Sequence, residues 1–423
     1  MGQDMHSAET QLVQVRIPTG WTLAGLIAGL ASGLMLARTA IIDDVLSVSE
    51  LMGALWLRAL QVTIVPLVAG LLVIGIVQLA LAARAGATAR RMLGWVAGVL
   101  VFSGAVGVIF TPLLLRLFPA PEAASDALFA GGQAQEVPGI SAFIESLIAP
   151  NIVAAAAETA MLPLTIFFAG FAVAISRLPT GQRELLVGLF RALANAMLIV
   201  IGWVLWIAPL GVFALALGVS AASGGAAFAT LAHYILIVVA VGTIVLLAGY
   251  GLAWLGGAAP WRFTLAILPA QAVALSTQSS LASLPAMLDS ARRLKLRDAT
   301  AEFVLPLAVA IFRATSPAMN LAVAVYIAHL AGVALTPASL VAGMAVAVVI
   351  AIGSVSLPGT ISFVISVGPI ALAMGVPIEP LALLVAVEML PDLMRTVANV
   401  TMDVAVTSAV DRKTDKTASE MQL

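Results

Sequence analysis

Cysteine is absent from all 423 residues, which removes disulfides, thiolate catalysis and cysteine-based metal sites. Charge is also scarce. Only 10% of the residues are Asp, Glu, Lys or Arg, where a soluble domain carries roughly 25%. The net charge is −1 and no Lys/Arg-rich run suggests a nucleic-acid partner. The histidines, His6, His233 and His329, are scattered without metal-ligand spacing and read as packing or interfacial residues. HExxH, GxSxG and a Cys/His pair are all missing, so hydrolysis lacks its usual groups. The first twenty residues show no basic-then-apolar signal segment, and the apolar stretch from Ile17 is expected to be a retained helix. What remains is hydrophobic: 62% of the residues, at a mean hydropathy of +1.11. The chain reads as an all-α polytopic membrane protein in a lipid bilayer.

A span needs about 20 apolar residues to cross a bilayer. Such spans are predicted at 17–39, 51–82, 91–117, 148–176, 186–220 and 226–256. From about 260 to 410 the apolar stretches are interrupted by short polar, Gly- and Pro-rich tips at 276–280, 312–317 and 353–360. Non-helical backbone at membrane depth persists only when buried in protein or lining a cavity, and interrupted segments mark transporter binding sites. The tips at 276–280 and 353–360 therefore predict re-entrant hairpins; the alternative is surface loops between ordinary helices. Arg84, Arg90, Arg91, Arg177, Arg183, Arg262, Arg292, Arg293, Lys295, Arg297, Arg412, Lys413 and Lys416 fall on one side if both termini are cytoplasmic. The opposite loops, 40–50 and 119–147, hold Asp43, Asp44, Glu122 and Glu136 but no Lys or Arg, and none occurs between Ala314 and Met394. The count is eight spans plus two re-entrant hairpins.

One stretch breaks the apolar rule. Asp392, Arg395, Asn399 and Asp403 are spaced three, four and four apart between Pro380 and Val410, so a helix puts them on one face, with Glu388. Each charge at a bilayer centre costs about 2.5–3.5 kcal/mol on insertion scales. Such groups are tolerated when they meet each other, water, an ion or a ligand, so the face reads as a buried binding surface. The bland reading of Asp392 and Arg395 is an i, i+3 ion pair that neutralises itself. An aspartyl dyad is excluded, because Asp392 and Asp403 stand roughly 16 Å apart along the helix.

The chain resembles the dicarboxylate/amino acid:cation symporters, the glutamate and aspartate transporter family, over about 17–412. The resemblance rests on ordered blocks: Leu55–Leu60 with Val65–Val68, Pro150-Asn151 with Met161–Ala169, Ala208–Ala214, Thr277–Pro285, Gly353–Gly359 and, most closely, Asp392–Asp403. It implies an inverted-repeat, elevator-type homotrimer in a bacterial-type inner membrane. Scaffold helices would occupy 17–82 and 148–220. A mobile transport domain would comprise 83–118 and 226–410, with a loop at 119–147 and cytoplasmic tails at 1–16 and 411–423. By resemblance Arg395 binds a substrate side-chain carboxylate, Asp392 an α-amino group and Asn399 an α-carboxylate. Ser279, Ser280 and Ser316 belong to the substrate site, and Leu357, Pro358 and Gly359 form a gate. Asp403, with Asn399, holds a coupling cation, Na+ or H+, and no organic cofactor is implied. A carboxylate at Asp392 favours an acidic amino acid over a plain dicarboxylate.

The pattern departs from the family at 312–316. Where the family reads Asn-Met-Asp-Gly-Thr, this chain reads Phe312-Arg313-Ala314-Thr315-Ser316. Phe and Ala side chains offer sodium no oxygen, and a guanidinium repels it. Arg313 is expected to act as a tethered cation, pairing with Asp403 or with an anionic substrate; the alternative is a side chain that snorkels to an interface. Coupling would then pass to a proton through Glu388 or Asp403, or be lost. An uncoupled anion carrier or channel remains the competing class.

Overall fold

In a computed structural model the chain folds into helices. The structure describes residues 18–39, 41–84, 86–121, 145, 148–223, 226–353 and 359–420; side chains are described for these apart from 19, 222–223, 353, 359–362 and 412–420. The helices are α1 (Thr19–Leu36), α2 (Ile42–Gln61), α3 (Ile64–Ala82), α4 (Ala87–Leu117), α5 (Ile152–Ala157), α6 (Met161–Ser176), α7 (Thr180–Trp206), α8 (Ala208–Ser223) and α9 (Ala226–Leu255). They continue as α10 (Pro260–Thr277), α11 (Leu284–Arg293), α12 (Asp298–Ile311), α13 (Ser316–Leu330), α14 (Pro337–Gly353), α15 (Gly359–Ala373), α16 (Leu381–Leu384) and α17 (Met389–Glu420). Among the described residues five stretches are long and apolar enough to cross a membrane by length and composition: Ile42–Ala82, Ala87–Leu117, Thr180–Trp206, Ala226–Leu255 and Asp298–Leu330. Polarity is inverted relative to a soluble protein. Leu185, Leu189, Trp203 and Trp206 on α7 are exposed, whereas Glu388, Asp392, Arg395 and Asp403 are buried. The chain is an all-α, multi-span membrane protein.

Three predicted spans differ from the helices observed, and a proline follows each break. The expected 51–82 span begins earlier, at Ile42, and is broken at Val62 and Thr63. Thus 40–50 is not simply a loop, because Asp43 and Asp44 occupy the first turn of α2, where carboxylates favour the positive end of the helix dipole. The 148–176 span is split at 158–160, where Thr159 has φ 56°. The 186–220 span is two helices, α7 and α8, parted at Ile207. Pro66, Pro163 and Pro209 lie two to three residues inside the following helix, where a missing N–H costs nothing because first-turn donors have no partner within the helix.

Close helix contacts run along glycine seams. Gly25, Gly29 and Gly33 of α1 lie against the backbone of Pro209, Phe213 and Leu217 of α8, so the two helices run parallel in close contact, with only the small side chains of Ala216 and Ser220 beside the glycines. Ser220 Oγ–H donates to the Leu30 carbonyl across this seam at 2.7 Å. A second parallel seam joins α9 to α17: Gly242 meets Met394, Gly249 meets Thr401 and Gly256 meets Ser408. A seven-residue step on both helices keeps one face in register, the geometry of a shallow left-handed crossing.

The interrupted segments lie where the polar tips predicted them. Helices α10 and α11 fold back on each other, as do α14 and α15. The first turn-around passes through Gln278 in the left-handed region (φ 51°), and Pro285 starts the return helix. The second tip, 354–358, lies outside the described residues. Helices α12 and α13 are separated by the non-helical 312–315. Pro317 has no N–H to close an α-helical bond on the Arg313 carbonyl, which instead accepts from Ser316 N–H at 3.2 Å.

Candidate functional site

Helix α17 begins beside the most polar part of the interior. Asp392 N–H donates to the Glu388 carbonyl at 2.9 Å, so Glu388 stands one turn ahead of Asp392. Arg395 is 4% exposed and Glu388 0%. Arg395 Nη2–H donates to Glu388 Oε1 at 2.8 Å, and Nη1–H to Asn320 Oδ1 at 2.9 Å. Its Nε lies 3.5 Å from Asp392 Oδ1. The i, i+3 pair with Asp392 is thus the longest of the three contacts, and Glu388 is the principal counter-charge. Asn320 Nδ2–H donates in turn to Ser316 Oγ at 3.0 Å, so Ser316 orients Asn320 and Asn320 orients Arg395.

The break at 312–315 supplies the second half. Thr315 N–H and Oγ1–H both donate to Asn399 Oδ1, at 2.9 and 3.0 Å. A backbone N–H can only donate, which fixes the amide of Asn399 with its oxygen towards Thr315 and leaves its nitrogen as a donor. Ala318 N–H donates to Ser103 Oγ on α4 at 3.1 Å, meeting another donor of this freed helix start. Arg313 is half-buried on this break. Asp403, one turn past Asn399, is 1% exposed, and neither carboxylate oxygen has a hydrogen-bond partner. A buried carboxylate left unpaired is costly unless it holds a cation or a proton. Phe312 and Ala314 offer a cation only their backbone carbonyls. Among the described residues no three His, Cys, Asp or Glu side chains converge as a metal site.

The structure therefore gathers Glu388, Asp392 and Arg395 into one cluster with Ser316, and sets Asn399 against the break that carries Arg313. Ser279 and Ser280 are half-buried at the tip of the α10–α11 hairpin. Ser279 serves its own turn: its Oγ accepts from Ala282 N–H at 3.2 Å and its carbonyl from Ser283 Oγ–H at 2.9 Å. The hairpin is anchored to α17 by Gln271 Nε2–H donating to Thr401 Oγ1 at 2.9 Å. Leu357 and Pro358 lie outside the described residues, and Gly359 opens α15. Sequence reasoning missed Asn320, Thr315 and Tyr234. Asn320 carried a signal, as an amide four residues after Ser316 in an otherwise apolar helix. Tyr234 carried none; it is fully buried on α9, beside Glu388.

Comparison with known proteins follows the same lines. The family model described as the sodium:dicarboxylate symporter family matches residues 19–413. The chain is 28% identical to the proton/glutamate-aspartate symporter of Escherichia coli (strain K12) over 361 residues, 82% of this chain and 81% of that one. It is 27% identical over 444 residues to the human neutral amino acid transporter B(0), covering 94% of this chain and 80% of the relative. It is 24% identical over 384 residues to the proton/sodium-glutamate symport protein of Bacillus subtilis (strain 168), covering 89% and 88%. With its buried Arg395 cluster set beside the break at 312–315, the chain belongs to the sodium:dicarboxylate symporter family.

Proposed function

We propose that this protein is a secondary active transporter that carries an acidic amino acid or a C4-dicarboxylate across the inner membrane by symport with a cation. The observation that carries the reading is Arg395, a buried guanidinium held by Glu388, Asp392 and Asn320 beside the break at 312–315. Its planar fork matches a carboxylate in a way a lysine would not. Asp392 takes an ammonium group, and the free amide nitrogen of Asn399 takes the α-carboxylate. The serines of the first tip, with Ser316, complete the site, and Leu357, Pro358 and Gly359 close it. Asp403 holds the coupling cation. The architecture that goes with this reading is eight spans plus two re-entrant hairpins, working as an elevator within a homotrimer, both termini cytoplasmic. Of the relatives compared, one is named for proton coupling and one for proton and sodium.

A second reading is favoured by one observation. Phe312 and Ala314 remove side-chain oxygens from the break, and Arg313 places a guanidinium charge there. Arg313 would then do for the site what a bound sodium does elsewhere, leaving a proton-coupled or uncoupled anion carrier. Uptake of labelled L-aspartate into proteoliposomes, under an inward sodium gradient or an inward proton gradient, separates the readings. Sodium-driven accumulation removes the tethered-cation role of Arg313. Accumulation driven only by protons supports it. No uptake of aspartate, succinate, malate or fumarate under either gradient overturns the transport assignment.

A further inference from the structure

We infer that the rim formed by the α9–α10 turn and the connection between α11 and α12 holds the headgroup of an anionic phospholipid, with Trp254, Trp261, Arg262 and Lys295 as its contacts.

Helix α10 carries an exposed apolar stripe that starts at this rim. Trp261, Leu265 and Leu268 follow one another at steps of four and three, so they share one face, and all three are exposed. Thr264 lies on the same face but turns its hydroxyl back to the Pro260 carbonyl at 2.9 Å, so it leaves no open donor there. Arg262 flanks Trp261 in the first turn and is exposed. Trp254 stands in the last turn of α9; it is 61% exposed and Trp261 67%. Indole rings favour the level of the headgroups, between hydrocarbon and water. The two rings therefore mark where the stripe leaves the hydrocarbon, with acyl chains along Leu265 and Leu268 and a headgroup beside Arg262.

The frame that displays the two rings is fixed. Gly257, at φ 95°, ends α9: its N–H donates to the Trp254 carbonyl at 2.9 Å, and Ala258 N–H donates to the Ala253 carbonyl at 3.0 Å. Pro260 opens α10. The Tyr250 and Phe263 rings meet edge-on across the turn, with centroids 5.2 Å apart. Gly256 lies against Ser408 and Ala409 of α17.

Helix α17 brings the second part of the rim to the same end. Asp411, three residues past Ser408, is held by Arg297 at the start of α12. The connection before α12 thus shares this end of α17 with the α9–α10 turn. Most of the charge here is matched. Arg292 lies 3.5 Å from Asp298, Arg293 2.8 Å from Asp289 and Arg297 2.8 Å from Asp411. Among the described residues no acid pairs with Arg262 or Lys295. Lys295 takes the left-handed conformation that ends α11, at φ 59°, and is exposed.

Two unmatched cations beside two indoles and an apolar stripe complement a lipid phosphate with net negative charge. A zwitterionic headgroup brings its own ammonium and gains less. Each basic side chain near a bilayer surface is expected to favour anionic lipid roughly fivefold. A headgroup on both cations joins the first turn of α10 to the connection after α11. Those are the two open ends of the first hairpin, so the lipid fixes the base of the hairpin whose tip carries Ser279 and Ser280.

The test uses the purified full-length protein in vesicles of phosphatidylcholine with a minor share of phosphatidylglycerol. Tryptophan fluorescence is compared with bromine carried either on the phosphatidylglycerol or on an equal amount of phosphatidylcholine. Brominated phosphatidylglycerol is expected to quench more. The greater part of that excess should vanish when Trp254→Phe and Trp261→Phe are combined. It should fall several-fold in Arg262→Gln with Lys295→Gln, and return in Arg262→Lys with Lys295→Arg. Equal quenching by the two lipids in the wild type overturns the inference. So does an excess that survives the loss of both indoles, or of both charges. Should the glutamine variant fail to fold, the wild type in rising salt decides, because an excess that does not decline as charge is screened overturns the inference.

Discussion

A single arginine organises the interior, and its three partners have different uses. Glu388 and Asp392 neutralise it, while Asn320 contributes geometry without charge. Arg395→Lys keeps the charge but loses the planar fork. We expect the affinity for an acidic substrate to fall roughly ten- to hundredfold, as the loss of charge-assisted bonds worth about 1.5–3 kcal/mol implies, and titration calorimetry checks it. Asn320→Ala leaves a buried guanidinium N–H without its acceptor and should cost about 1–3 kcal/mol of stability, visible as a lower melting temperature in detergent. The polar face of α17 was legible in the sequence because charge inside an apolar run is expensive, so its presence demands a reason. Glu388 was read as a neighbour of Asp392, but its hold on Arg395 was not visible. That contact depends on how the turn before α17 lifts a carboxylate seven residues upstream onto the guanidinium. Asn320 and Thr315 reach α17 from another helix, and such long-range partners leave no trace in spacing.

At the level of elements, composition located the interruptions where they carry polar residues and missed them where they do not. The tips at 276–280 and 312–317 announce themselves with serine, threonine and arginine. The break at Ile207 lies in uniformly apolar sequence and the one at Val62–Thr63 carries no more polarity than Gln61 and Thr63, so hydropathy sees one long span and Pro66 and Pro209 mark the fault. The seams are more sensitive to substitution than the breaks. A Cβ on Gly29 would collide with the Phe213 carbonyl, which is backbone and cannot swing aside. Gly29→Leu should therefore destabilise the α1–α8 pair by at least the roughly 1–3 kcal/mol of an overpacked core, read as faster proteolysis of the purified protein. Gly20→Leu, at an open position on the same helix, should have no such effect.

Across the whole molecule, the polar half is tied together by a contact far from the site. Arg297 Nε–H donates to Asp411 Oδ1 at 2.8 Å and Nη2–H to the Asp411 carbonyl at 3.1 Å, fastening the start of α12 to the far part of α17. Arg297 is 41% exposed in its side chain, so water screens the pair and a double-mutant cycle of Arg297→Ala and Asp411→Ala should return about 1 kcal/mol of coupling or less. The parallel seam of α1 and α8 bears on how the protein is made. Ser220 and Leu30, which meet across it, are 190 residues apart in the chain. At the usual pace of synthesis, about 5–20 residues per second, the partner of α1 emerges about 10–40 s after α1 itself. For that interval the glycine groove of a nascent α1 faces lipid or an insertion factor, so this helix is held in the membrane before the partner that fits its groove has been made.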